Sequence, residues 1–106
     1  MRFILVMTLI LGVNSLYAQG ANDQFRTALD RYCVTCHNET LKTANLMLDK
    51  ANLNDVSEDP ALWENVILKL RTQSMPPVGM PRPDVNFYES LANHLETELN
   101  NLSKSE

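Results

Sequence analysis

The chain has 106 residues with 9 Lys plus Arg against 13 Asp plus Glu, which gives a formal net charge of −4 at pH 7. This length suits one small domain, and the acidic balance argues against nucleic acid as a partner, because phosphate backbones are bound by clustered positive charge. Only two Cys and two His are present. A structural zinc site built from two Cys pairs is therefore excluded.

The segment that ends at Ala18 has the pattern of a secretory signal peptide. Arg2 supplies a positive charge, residues Phe3 to Val13 are almost all apolar, and small residues close the segment. The apolar run is short for crossing about 30 Å of hydrocarbon, although an uncleaved signal anchor is the alternative. We predict cleavage after Ala18, export to the periplasm or beyond, and a mature chain of residues 19–106 without a membrane span.

The sequence predicts an all-α fold, and the first helix is expected from about Ala21 to Cys33. Asn22 or Asp23 can cap the N-terminus of this helix. One face of it carries the apolar and aromatic residues Phe25, Leu29 and Tyr32. That face leads directly into the motif that follows.

Cys33, Cys36 and His37 form the pattern C-x-x-C-H, the attachment signature of a c-type haem. The two thiols can each add to one haem vinyl group, and the histidine can bind iron as the proximal axial ligand. The alternatives are a dithiol redox motif, a zinc site or a plain disulfide. A dithiol redox motif usually lies in a βαβ unit, and no strand pattern surrounds this one. A structural zinc ion needs four ligands, and only His94 remains beyond the motif. A disulfide between Cys33 and Cys36 would close too small a loop to stabilise the fold much.

Residues 38–58 are expected to form mostly a loop that covers the proximal side of a haem. The second helix is expected to begin with Asp59 as N-cap and Pro60 at its first position, and to end near Arg71 or Gln73. Its apolar stripe contains Leu62, Trp63, Val66, Ile67 and Leu70. Trp63 is expected in the core, with an indole contact to a haem propionate as the alternative.

The third helix is expected from Pro83 or Asp84 to about Leu102, with an apolar stripe at helical spacing. We expect this helix to cross the first one. The expected contacts join Phe25 and Leu29 to Leu91 and Leu95.

The Pro-rich stretch from Ser74 to Pro83 carries two candidate distal ligands, Met75 and Met80. A thioether opposite histidine stabilises ferrous iron, and neighbouring prolines fix the backbone that presents it. Met75 is preferred, because it directly precedes Pro76 and lies far enough after His37 to reach the other face of the ring. The weaker candidates are Met80, Met47, His94 or no ligand.

Several segments resemble the planctomycete-type cytochrome c domain, a group similar to small class I cytochromes c. These segments are Tyr32–Glu39, Leu41–Ala44, Leu46–Asp49, Trp63–Glu64, Lys69–Arg71 and Met75–Pro83. The similarity covers about residues 25–100. The resemblance implies three main helices around one covalently attached haem c per chain, and electron transfer rather than an enzyme reaction.

We therefore expect residues 19–106 to form a monohaem cytochrome c domain that carries one electron at a time. Cys33 and Cys36 are expected to hold the ring, and His37 and Met75 to bind the iron. The partners are expected to be redox proteins of unidentified kind. Because the family commonly places this domain at the start of large secreted proteins, delivery of electrons to a larger partner is one alternative. A gas sensor or peroxidase-like protein with an open distal site is another.

Overall fold

The computed structural model describes the backbone of residues 13–104 and the side chains of residues 22–104. The elements in chain order are α1 (Val13–Tyr32), two single-turn 3₁₀-helices (Thr43–Asn45 and Val56–Glu58), α2 (Pro60–Arg71) and α3 (Val85–Lys104). No strand occurs within this range. The predicted all-α class with three main helices is confirmed for the described part of the chain.

Helix α1 begins at Val13 rather than near Ala21, so the predicted start of the first helix is wrong. Asn22 and Asp23 lie inside the helix and do not cap it. No proline occurs between Val13 and Ala21, so nothing in the backbone interrupts the helical hydrogen bonds. Instead, the Nδ2 of Asn22 donates to Oδ1 of Asn54 at 3.0 Å, which ties α1 to the loop before α2.

The predicted signal peptide overlaps only partly with the described chain. Residues 1–12 lie outside the described residues, whereas Val13 to Ala18 form the beginning of α1. Among the described residues, no helix is both long enough and apolar enough to cross a membrane. Cleavage after Ala18 and export stay predictions.

Helix α2 has the predicted bounds and the predicted cap. Asp59 accepts a hydrogen bond from the backbone N–H of Leu62 at 3.2 Å, and Pro60 occupies the first helical position. The helix ends at Arg71, where the predicted end lay. Its buried residues are Trp63, Val66 and Leu70.

Helix α3 begins at Val85, within two residues of its predicted start, and packs along α2. Arg71 at the end of α2 joins the two helices, since its Nη2 donates to Asn93 Oδ1 at 2.7 Å and to Glu96 Oε2 at 2.6 Å. The buried face of α3 consists of Tyr88, Leu91, Ala92 and Leu95.

Helix α1 meets this pair of helices through the residues of its last turns. Leu29 is buried and belongs to the same core as Leu91 and Leu95, as predicted. The Phe25 ring, however, lies against Phe87 (centroids 6.1 Å apart) and against His94 (5.0 Å). Phe25 also packs against the core cluster that contains Leu91 and Leu95, so the predicted meeting of α1 and α3 occurs.

The loop between α1 and α2 contains more local structure than the sequence indicated. Two single-turn helices interrupt residues 38–58, and Leu48, Leu53 and Val56 are buried beneath the loop. The loop therefore contributes to the core rather than only covering it.

Replacing Asp59 with Ala removes the side-chain acceptor that caps α2. We expect a loss of about 1 kcal/mol in the free energy of unfolding, the usual effect of removing an Asp cap. Urea unfolding of the exported protein, followed by far-UV circular dichroism, measures this loss. Glu64→Ala, at an exposed position of the same helix, is the matched control and should change the unfolding free energy by less than about 0.5 kcal/mol. Equal losses in the two variants would contradict the capping role.

Candidate functional site

The C-x-x-C-H motif forms a tight turn directly after α1. The backbone N–H of Cys33 donates to the carbonyl of Leu29 at 2.9 Å, which continues the helical pattern past Tyr32. The carbonyl of Cys33 then accepts from the N–H groups of Cys36 (3.2 Å) and His37 (2.9 Å). These bonds place Cys33, Cys36 and His37 on a single turn at the end of the helix.

A cavity of about 580 Å³ opens in front of this turn. Its volume lies within the roughly 300–1,000 Å³ that is typical of ligand and cofactor pockets. All four predicted cofactor-binding residues line it, namely Cys33, Cys36, His37 and Met75. Much of the remaining wall is apolar and includes Leu29, Leu46, Leu48, Leu62, Val66, Leu70, Phe87 and Leu91. The three main helices and the loops between them thus contribute to one pocket.

The His37 ring is oriented by a backbone carbonyl. Its Nδ1 lies 2.9 Å from the carbonyl oxygen of Thr43. Because a carbonyl oxygen only accepts, Nδ1 carries the hydrogen, and the lone pair of Nε2 in the neutral ring is free to bind a metal. In metal sites, a hydrogen bond from the ring nitrogen that does not bind the metal fixes the tautomer and orientation of the histidine.

The segment that presents the Thr43 carbonyl has an unusual backbone. Lys42 and Ala44, on either side of Thr43, have φ angles of 51° and 55° in the left-handed region, which residues other than glycine rarely adopt. The Thr43 contact was not predicted. Every residue has a backbone carbonyl, so no residue type in the sequence indicates this hydrogen bond. Only the folded path of the chain shows it.

Arg26 on α1 fastens the loop that follows the motif. Its Nη1 donates to the carbonyl of Ala51 at 3.3 Å, and its Nη2 donates to the carbonyl of Leu48 at 3.0 Å and to Asp30 at 2.8 Å. The N–H of Leu48 in turn donates to the carbonyl of His37 at 3.0 Å. The guanidinium thus holds the backbone on which the candidate proximal ligand depends.

The environment of Cys33 bears on the dithiol alternative. Burial raises the pKa of the Cys33 thiol from 9.0 to about 11, while the positive charge of Arg26 opposes the shift. At neutral pH the group is therefore a protonated thiol. Dithiol redox chemistry uses a thiolate, and this environment disfavours it.

The stretch after α2 presents both predicted methionines to the cavity; we name residues 74–81 the Met-Pro turn. Met75 and Met80 both line the pocket, with 37% and 46% of their surfaces exposed. Pro76 between them is buried, and the Met75–Pro76 peptide bond is cis. Gly79 has φ +97°, a conformation that favours glycine. The preferred ligand candidate and its rival thus lie at the same pocket.

The weaker ligand candidates His94 and Met47 do not line this cavity, and neither does Trp63, the residue considered for a propionate contact. His94 is half-buried against Phe25, and its Nε2 is a buried atom without a hydrogen-bond partner. Met47 is half-buried in the loop, and Trp63, with 1% of its surface exposed, lies in the core. None of the three is among the lining residues. Within residues 22–104, no three His, Cys, Asp or Glu side chains form a group that could hold a metal ion.

No protein-family model, curated protein or solved structure matches this chain. The resemblance to cytochromes c therefore depends on the sequence segments quoted above.

Replacing Arg26 with Ala removes both bonds to loop carbonyls. Because hydrogen bonds from a charged donor contribute about 1.5–3 kcal/mol and Arg26 is partly exposed, we expect the free energy of unfolding to fall by about 2 kcal/mol. Urea unfolding of the exported protein measures the change. Gln24→Ala, at an exposed position of the same helix that does not line the cavity, is the control and should change the unfolding free energy by less than about 0.5 kcal/mol. If the two variants lose equal stability, Arg26 does not fasten the loop.

Proposed function

We propose that this chain is an exported c-type cytochrome that transfers single electrons, with one haem covalently attached in the cavity. One observation carries the proposal. The two thiols, the imidazole and the Met75 thioether line a single pocket, although Met75 lies on the far side of α2 in the sequence. These are the groups needed for two thioether bonds and two axial ligands.

Two of these residues would attach the haem, and the other two would bind its iron. Cys33 and Cys36 would each bond to one vinyl carbon of the porphyrin and hold it in the pocket. His37 would bind iron through Nε2, since its Nδ1 is hydrogen-bonded to Thr43. Met75 would occupy the opposite axial position, with Met80 as the rival. The bound group supplies an iron that alternates between ferric and ferrous states.

The remaining wall fits a largely apolar ring. The leucine and valine side chains from α1, the loop, α2 and α3 offer hydrophobic contacts to its faces and edges. They would also keep water from the iron, which favours rapid electron exchange with little rearrangement. No residue of the cavity needs to act on a substrate in this proposal.

The side of the pocket bordered by the Met-Pro turn is a candidate for electron exit. Val78 of this turn has 92% of its surface exposed, and both methionines are partly exposed. A haem edge near this turn would be within reach of a docked redox protein. Electron delivery to a larger secreted protein would use the same edge.

The test is the mass and the visible absorption spectrum of the full chain, produced in a host that exports it and attaches haem. We expect the mature mass plus one haem, sharp bands of low-spin reduced iron, and a weak far-red sulfur-to-iron band when oxidised. High-spin bands would instead favour an open iron and a gas-binding or peroxidase-like function. A mass without haem would overturn the proposal and would favour dithiol redox chemistry at Cys33 and Cys36.

The two methionines can be separated by substitution. Met75→Ala should abolish the far-red sulfur-to-iron band of the oxidised protein and lower its reduction potential, because the thioether stabilises ferrous iron. Met80→Ala is the matched control from the same turn and should keep the band. The spectrum and a redox titration measure both effects. If only Met80→Ala loses the band, Met80 rather than Met75 is the iron ligand.

A further inference from the structure

Arg82 closes the Met-Pro turn from its C-terminal end. Its Nη2 donates to the carbonyl oxygen of Gln73 at 2.5 Å, at the residue that precedes the turn. Its Nε donates to the Tyr88 hydroxyl on α3 at 3.0 Å, and the guanidinium lies 5.6 Å from the centre of the Tyr88 ring. One side chain therefore joins the start of the turn, the end of the turn and α3.

At the start of the turn, the N–H of Ser74 donates to the carbonyl of Lys69 on α2 at 3.1 Å, but few bonds hold the rest. From Pro76 to Pro81, the only hydrogen bond in the described structure joins the N–H of Met80 to the carbonyl of Pro77, and it lies within the turn itself. The three prolines of the turn, Pro76, Pro77 and Pro81, lack a donor N–H, which limits what the backbone can contribute. The turn therefore depends on its two ends for its position.

The residue that precedes the turn has an unfavourable backbone conformation. Gln73 has φ 52°, in the left-handed region that is unfavourable for a residue with a Cβ atom. The Arg82 bond reaches the carbonyl of this same residue. Tyr88, the other partner, is 4% exposed and lines the cavity, so it offers a fixed anchor.

We infer that Arg82 is a positioning residue whose bonds to Gln73 and Tyr88, which we name the clasp, hold the Met-Pro turn closed. The clasp would thereby set how readily a small ligand displaces Met75 from the iron. The inference rests on the proposed function. The planar guanidinium suits the task, because its nitrogens point in fixed directions and can bond two oxygens at once. Arg82 does not line the cavity and touches the site only through Tyr88 and the turn.

The clasp has a quantitative consequence for ligand binding. An added ligand such as imidazole can bind the iron only in molecules whose turn has opened and released Met75. Its apparent affinity is therefore the intrinsic affinity multiplied by the open fraction. Removing the clasp raises that fraction and tightens imidazole binding, even if the closed protein keeps the same spectrum.

The experiment titrates imidazole into the oxidised, haem-loaded full chain and follows the loss of the far-red sulfur-to-iron band. For Arg82→Ala we expect roughly tenfold tighter apparent binding, the lower end of the range for bonds from a charged donor. Tyr88→Phe removes one of the two acceptors and should tighten binding by a smaller factor. It also serves as the second variant if Arg82→Ala is exported without haem.

Arg71→Ala is the matched control. Arg71 also forms two hydrogen bonds to α3 side chains and carries the same charge, but it contacts neither the turn nor the cavity. The apparent imidazole affinity of the Arg71→Ala variant should stay within about twofold of that of the unsubstituted chain (the parent), although the variant loses some unfolding free energy. Equal tightening in Arg71→Ala and Arg82→Ala would overturn the clasp, because general loosening would then explain both.

The parent spectrum separates failure of the clasp from failure of the proposed function. If the parent shows the far-red band and both Arg82→Ala and Tyr88→Phe bind imidazole as the parent does, the clasp alone is wrong. If the parent lacks haem or lacks that band, Met75 ligation fails, and the clasp fails with it.

Discussion

Guanidinium groups bonded to backbone carbonyls fasten both loops that carry the candidate iron ligands. Arg26 on α1 holds Leu48 and Ala51 beside the His37 segment, and Arg82 holds Gln73 beside Met75. Loop carbonyls have no ladder of partners, as they would in a helix or sheet, and must be satisfied by side chains or water. An arginine offers five donors in a rigid plane, so one residue can fix a loop at several points. Arg26 and Arg82 thus tie two of the loops that border the cavity to the helices.

The helices supply the frame to which those loops are tied. Helices α2 and α3 pack along each other, and α1 reaches them mainly through Leu29 and Phe25. The cavity lies where α1 ends, so the C-x-x-C-H turn faces the inner side of the α2–α3 pair. In a domain this small, apolar burial alone gives limited stability. In the proposed holoprotein, the ring would join core residues from all three helices into one hydrophobic unit.

The sequence predicted the parts of the structure that depend on local signals. Asp59 followed by Pro60 marks a helix start wherever it occurs, and the apolar stripe of α3 is periodic over its whole length. Cys33, Cys36, His37 and Met75 were singled out because their types and spacing match one chemistry, and they line one cavity; their binding to a haem stays a prediction. Asn22 was misread as a cap, since the same residue type also occurs inside helices. The roles of Thr43, Arg26 and Arg82 could not be predicted, because their hydrogen bonds involve backbone carbonyls whose positions depend on the folded path.

The long first helix has a consequence for the predicted export and cleavage of the chain. A cut after Ala18 would remove the first residues of α1 and keep Phe25 and Leu29, through which the helix meets the core. Asp23 would then lie near the new start of the helix, where its carboxylate interacts favourably with the positive end of the helix dipole. The Asn22–Asn54 bond would anchor that new end to the loop. The same residues that fail as caps in the longer helix would thus stabilise the start of a shortened one.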